Sequence, residues 1–113
     1  MLIFPLKKEW YEKIKSGEKT IEYREVKPYW TKRLLHEKYN DYSAARYPRK
    51  IYSILKRYSE PCFFRLGYTK ERLEAWITKI EVVDGKDTDL HIDKPVYAIH
   101  FKDVREVVLN GTH

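Results

Sequence analysis

Apolar and polar residues alternate in a way that divides the first quarter of the chain into two short elements. Leu2 to Leu6 is an apolar run bounded by turn chemistry, and it predicts a first β-strand. Lys7 to Ser16 carries Trp10 and Ile14 one helical turn apart, which predicts a helix with one apolar face. Gly17 follows, and glycine commonly closes a helix because it adopts left-handed backbone angles. The chain therefore opens with a strand followed by a helix.

A second strand is predicted directly after this helix, from Lys19 to Val26. Side chains alternate across a strand, so Ile21 and Tyr23 point one way while Glu22 and Arg24 point the other. The strand thus has one face that is strongly polar.

The middle of the chain predicts helices separated by a loop. Tyr29 to Tyr39 is compatible with a helix, Asn40 to Pro48 has the composition of a loop, and Arg49 to Tyr58 has helical apolar spacing. Together they form an inserted helical segment of about 27–60.

The second half of the chain is rich in strands. Its long β-rich run ends at Asp84-Gly85, a strong turn signal, and its alternation changes phase near Lys79-Ile80, which predicts a bulge. The predicted strands are Cys62 to Tyr68, Leu73 to Val83, Val96 to Phe101 and a final one at Val104 to Leu109. Since no crossover helices separate them, the sequence predicts one α+β domain over 1–113, a small mixed β-barrel of five to six strands.

Charge is concentrated in the inserted segment. Of the 23 basic and 17 acidic residues, nine basic and two acidic ones lie between Lys27 and Tyr58, which gives this stretch +7 and the remainder −1. Six of the ten tyrosines and Trp30 lie in the same stretch. Basic groups interleaved with aromatic rings suit single-stranded nucleic acid, whereas a solvated basic surface and core-packing rings are the alternative.

The composition argues against several other classes of protein. No apolar run approaches the length of a membrane span, and the apolar start is too short for a signal peptide, so we expect a cytoplasmic protein that does not contact a membrane. The lone Cys62 lies in an apolar stretch and is interpreted as a buried structural thiol. The four histidines have no metal-ligand spacing, so neither a metal nor a cofactor is predicted.

The most distinctive group of residues is the charged set at the start of the second strand. Lys19 is followed by Glu22 and Arg24, which share one face of that strand. Three charges of mixed sign at one end of a small barrel are costly to desolvate unless they pair or meet a ligand. From the residues alone, a solvated, salt-bridged strand remains the alternative to a ligand-binding site.

The motif Gly17-x-Lys19-x-x-Glu22-x-Arg24, placed after a strand and a helix, resembles the signature of the ASCH family. The resemblance extends over residues 2–24 and, more weakly, over 62–83 and 96–101. It implies a PUA-like β-barrel with a cleft lined by the motif, and a role in RNA metabolism. Two functions are therefore expected as alternatives, namely an RNA- or nucleotide-binding module and a small hydrolase or ribonuclease.

Some members of the family are similar to an amidohydrolase of N4-acetylated cytidine. That resemblance implies Lys19 and Glu22 as the catalytic residues if this chain is an enzyme. The related enzyme has a threonine nucleophile where Glu22 stands, while Thr20 is displaced by two positions. Its catalytic glutamate comes from a connection between late strands, where this chain offers aspartates, namely Asp84, Asp87, Asp89 and Asp93. These departures favour binding over hydrolysis.

Further nucleic-acid-binding residues are predicted outside the motif. Arg65 and Tyr68 flank Gly67, which permits close approach of a backbone. The complete set of candidates for nucleic-acid binding is Lys19, Glu22, Arg24, Arg33, Arg49, Lys50, Arg65 and Tyr68.

Overall fold

The structure is a computed structural model in which residues 2–34 and 61–107 are described. Two helices and five strands occupy these ranges. The elements are β1 (Leu2–Leu6), α1 (Lys8–Lys15), β2 (Ile21–Glu25), α2 (Pro28–Leu34), β3 (Pro61–Leu66), β4 (Arg72–Asp84) and β5 (Pro95–Glu106), with a 3-10 turn at Gly85–Asp87. The predicted loop at Asn40 to Pro48 and the predicted helix at Arg49 to Tyr58 lie outside the described residues.

The five strands form one mixed sheet in the order β1-β3-β4-β5-β2. β1 is parallel to β3, and the other three pairings are antiparallel. The sheet is curved into a half-barrel, so the α+β class and the mixed sheet are confirmed. Within the described residues, β1 and β2 are the two edge strands and are not paired with each other by backbone hydrogen bonds.

The core lies on one face of this sheet, which we call the inner face. Tyr11 and Ile14 of α1 and Leu34 of α2 are buried there. The strand residues of the same cluster are Leu2, Phe4, Leu6, Cys62, Phe64, Leu73, Ala75, Ile80, Val82, Tyr97, Ile99 and Phe101. A buried hydrogen bond of 2.6 Å between the hydroxyls of Thr31 and Tyr97 fixes α2 to β5. Cys62 is fully buried, as its apolar surroundings predicted.

The sequence predicted the bulge in β4 correctly but not the length of β5. The predicted bulge is confirmed, because the register of β4 against β5 shifts between Ile77 and Lys79 and again between Glu74 and Trp76. The separate strand predicted to begin at Val104 is wrong, since β5 continues through Glu106 in one element. The end of the predicted range, at Leu109, lies outside the described residues. A left-handed residue at Asp103, with φ of 56°, bends β5 without ending its pairing with β4.

The connection between β4 and β5 is held compact by backbone contacts around Gly85. Its carbonyl accepts hydrogen bonds from the N–H groups of Thr88 and Ile92 and from the Thr88 hydroxyl. A Cβ at Gly85 would lie 2.6 Å from the carbonyl oxygens of Ile92 and Lys94, so only glycine fits. The connection therefore has a defined shape, and this shape brings the Asp89 carboxylate to the Lys19 amine.

Candidate functional site

The site begins where α1 ends and β2 starts. Gly17 adopts φ of 85°, as its position predicted, and allows the chain to reverse direction. The backbone N–H of Lys19 then donates to the carbonyl of Lys13 at 3.0 Å, which fastens the turn to the last turn of the helix. This geometry turns the Lys19 side chain back toward α1, so that only 9% of the side chain is exposed.

The Lys19 amine lies among two carboxylates and two aromatic rings. It donates a hydrogen bond to Asp89 and lies 3.3 Å from Oε1 of Glu22. The amine also lies 5.0 Å from the ring centroid of Trp10 and 5.1 Å from that of Tyr23. Cation–π attraction adds to the ion pairs when the cation is withdrawn from water, as it is here.

Glu22 is the centre of the predicted charged set. Glu22 is only 4% exposed, and its Oε2 accepts a hydrogen bond of 2.8 Å from Nη1 of Arg24. Its Oε1 also accepts from the backbone N–H of Tyr23 at 3.1 Å. Glu22 therefore pairs with both Lys19 and Arg24, which is one of the two ways in which buried charges of mixed sign are stabilised. A solvated strand face is excluded, because Glu22 and Arg24 lie opposite Ile99 and Tyr97, on the inner face.

Arg24 connects the two edges of the half-barrel. Its Nη2 donates to the carbonyl of Pro5 in β1 at 3.2 Å, across the gap between β2 and β1. Its guanidinium carbon lies 5.3 Å from the ring centroids of both Phe4 and Trp30. The Arg24 side chain thus bridges β2 and β1, the two strands that would pair by backbone hydrogen bonds in a closed barrel. Arg24 is consequently occupied by protein groups rather than directed into a pocket.

An open cleft of about 330 Å³ lies beside the Lys19 amine. Its floor and walls come from the end of α1, the start of β2 and the connection after β4. The lining residues are Trp10, Lys13, Glu18, Lys19, Thr20, Ile21, Tyr23 and Asp89. The positive and negative charges that line it are balanced. The Lys13 amine lies 3.7 Å from the Glu18 carboxylate, and the Lys19 amine pairs with the Asp89 carboxylate.

Tyr23 connects the cleft to neighbouring charges. Burial raises the pKa of its hydroxyl, Lys19 lowers it, and the carboxylates of Asp89, Glu22 and Glu81 raise it further. The phenol is therefore held in its neutral, hydrogen-bonding form near neutral pH. Its hydroxyl can both donate and accept a hydrogen bond, and the residue lines the cleft.

The remaining predicted residues do not line this cleft. Arg33 stacks on the Tyr29 ring at 3.5 Å and donates to the Tyr29 carbonyl. Arg65 donates to the carbonyl of Gly67, and its guanidinium lies 5.5 Å from the ring of Tyr68, which is 93% exposed. Arg49 and Lys50 lie outside the described residues.

Trp10, Tyr23 and Asp89 were not among the predicted site residues, although they surround Lys19. Asp89 is one of four aspartates in the connection after β4, and their spacing in the sequence does not show which of them meets Lys19. Trp10 was assigned to the apolar face of the helix, yet it is only partly buried and faces the cleft. The signal that points to both aromatic residues is their closeness in sequence to the Gly17 turn, which folds Lys19 between them.

Comparisons with known proteins leave the family unassigned. No protein-family model matches the sequence, and no curated protein or solved structure is detectably similar to the chain. Within residues 2–34 and 61–107, no group of three or more potential metal ligands comes together, and no helix is long and apolar enough to cross a membrane.

Proposed function

We propose that this chain is an ASCH-domain protein with a PUA-like fold that binds RNA or an RNA-derived nucleotide, holding a base in the Lys19 cleft. The proposal depends on one observation above all. Among the described residues, the cations that line the cleft are Lys13 and Lys19, and each has a carboxylate partner. The Lys19 amine also lies beside the rings of Trp10 and Tyr23. One residue of the motif that suggested the family, Lys19, thus lines an aromatic, polar cleft of ligand size.

The charge balance of the cleft favours a base over a bare phosphate. A buried lysine that already pairs with a carboxylate, such as Lys19 with Asp89, has little charge left for a phosphate. Asp89 can instead accept from the amino group of a base, and Lys19 can donate to its ring nitrogen or carbonyl. Tyr23 and Trp10 provide apolar ring surface for stacking. The phosphates of the ligand then contact basic residues outside the cleft. The stretch between Lys27 and Tyr58, with its net charge of +7, contains basic residues that can do so.

The test is a titration of the protein with the four ribonucleoside monophosphates, followed by chemical-shift changes. Tyr23→Ala should weaken binding about fivefold or more, because stacking on an aromatic residue contributes about 1–3 kcal/mol per base. Tyr23→Phe retains the ring and should retain most of the affinity. Lys15→Ala, which removes an exposed amine outside the cleft, is the matched control. Shift changes that avoid the cleft, or equal affinity for Tyr23→Ala and wild type, would contradict the proposal.

A small hydrolase is the second candidate function, and one distance favours it. The carboxylate of Glu22 lies 3.3 Å from the Lys19 amine, within reach of the group that matches the lysine of the related amidohydrolase. The Thr20 hydroxyl, by contrast, forms no hydrogen bond with Lys19, although both residues are described. Wild type, Lys19→Arg and Lys19→Ala should be incubated with N4-acetylcytidine and with short RNA, and the products separated by chromatography. Turnover that is lost in Lys19→Arg supports hydrolysis, and absence of product in all three supports binding alone.

A further inference from the structure

The outer face of the sheet continues from the cleft onto β5 and β4. Ile21 and Tyr23 line the cleft, and in the sheet they lie opposite His100 and Ala98 of β5. Residues opposite each other in a ladder have their side chains on the same face, so His100 borders the cleft on the outer face. On the far side of His100 lies Lys79 of β4.

His100 is held in a defined orientation. Its Nε2 lies 2.6 Å from Oε2 of Glu81, and both side chains are partly exposed, at 20% and 25%. Its other ring nitrogen, Nδ1, forms no hydrogen bond with any of the described residues. A carboxylate that fixes one nitrogen leaves the ring face and the second nitrogen to a ligand.

A second hollow, of about 530 Å³, opens on the same face two residues further along β5. Trp76 and Lys102 lie opposite each other there, and Ile77, Thr78 and Asp103 complete the lining. His100 and Lys102 are about 7 Å apart, because same-face residues of a strand are separated by two residue rises. The register of β4 against β5 shifts on both sides of Trp76, and such bulges bend and twist the strand locally.

The outer face therefore carries rings and amines in alternation. From the cleft outward, Tyr23 is followed by His100 with Lys79 beside it, and then by Trp76 with Lys102 beside it. Lys79 forms no ion pair with the described residues, and the Lys102 amine lies 4.0 Å from the Asp103 carboxylate, with its side chain 64% exposed. Stacking surfaces interleaved with cations are what a single-stranded nucleic acid binds.

We propose that this strip, composed of His100, Lys79, Trp76 and Lys102, is a second subsite that binds the nucleotides following the base held in the cleft. The inference rests on the proposed function and extends it, since it makes the ligand an RNA single strand of at least two nucleotides. Trp76 provides the stacking surface, while Lys79 and Lys102 contact the phosphates that join the nucleotides.

The test is a series of adenylate RNAs of one to four nucleotides, titrated at low salt. Affinity of the wild type should rise with each added nucleotide. Trp76→Ala should lose about fivefold or more of the affinity for the tetranucleotide and leave that for the mononucleotide unchanged. Trp76→Phe should retain most of the gain with length. Lys102→Glu changes an exposed side chain, so we expect the variant to fold. It should lower affinity for the tetranucleotide but not for the mononucleotide.

The outcomes separate the two proposals. If the mononucleotide binds in the cleft but added nucleotides give no gain, the second subsite is refuted and the proposed function stands. A gain with length that survives both Trp76→Ala and Lys102→Glu also refutes the subsite, because the strand then leaves the cleft by another route. If no RNA of any length binds, the proposed function fails and the subsite with it.

Discussion

Replacing Glu22 with glutamine tests whether the buried carboxylate holds the edge of the half-barrel together. The substitution retains the size of the side chain and removes only its charge. In the folded protein that charge faces the Lys19 amine at 3.3 Å and the Arg24 guanidinium at 2.8 Å. Both cations are largely buried, with 9% and 17% of their side chains exposed in the wild-type structure.

The expected cost follows from leaving cations buried without their shared partner. Removing one member of a buried ion pair costs about 3–5 kcal/mol of unfolding free energy. The lower end applies here, because Lys19 retains Asp89 and Arg24 retains the carbonyls of Pro5 and Tyr23. We therefore expect a loss of about 3 kcal/mol. For a domain of this size, that corresponds to a decrease of about 12 °C in Tm.

Urea unfolding measures this loss, and the same strand offers a matched control. Glu25 also pairs with two lysines, at 3.2 and 3.9 Å, but all three side chains are more exposed. Glu25→Gln should therefore cost less than about 1 kcal/mol. If Glu22→Gln costs no more than Glu25→Gln, the reasoning from burial is refuted. A double-mutant cycle with Lys19→Met then measures the coupling between Glu22 and Lys19 directly.

Three further predictions concern the frame around the site. Gly85→Ala should cost about 1–3 kcal/mol in urea unfolding, because its Cβ would lie 2.6 Å from two carbonyl oxygens; an unchanged stability would contradict this packing. Burial raises the pKa of the Cys62 thiol from 9.0 to about 12, so stability from the protonated thiol is complete below pH 9 and is lost as pH rises toward 12. The alkaline loss, up to about 4 kcal/mol, should be smaller in Cys62→Ala, and a thiol reagent that labels the native wild type rapidly at pH 8 would refute this burial. Thr31→Val should lower the unfolding free energy by about 1–3 kcal/mol, since it leaves the buried Tyr97 hydroxyl without its partner, and Tyr97→Phe in the same background should cost little more.

Local interactions made several elements predictable from the sequence. The helix of α1 and the left-handed Gly17 follow from apolar spacing and from backbone freedom, which depend on neighbouring residues only. The alternation in β2 correctly placed Glu22 and Arg24 on one face. The turn after Asp84 and the bulge in β4 are likewise local, so the sequence predicted them.

The sequence did not determine which face of β2 is buried, or which carboxylate meets Lys19. Both depend on residues far apart in the chain, since Asp89 is 70 positions from Lys19 and Pro5 is 19 from Arg24. Side chains alternate along a strand with a period of two residues, so the sequence shows that Glu22 and Arg24 share a face. Only the pairing of β2 with β5 turns that face inward. Likewise, no local pattern aligns Tyr23, His100 and Trp76, because the order of strands in the sheet brings them to one surface. Sequence patterns thus determined the elements and their polar faces, and the tertiary structure decided which polar groups meet, because pairing between distant strands depends on the whole core.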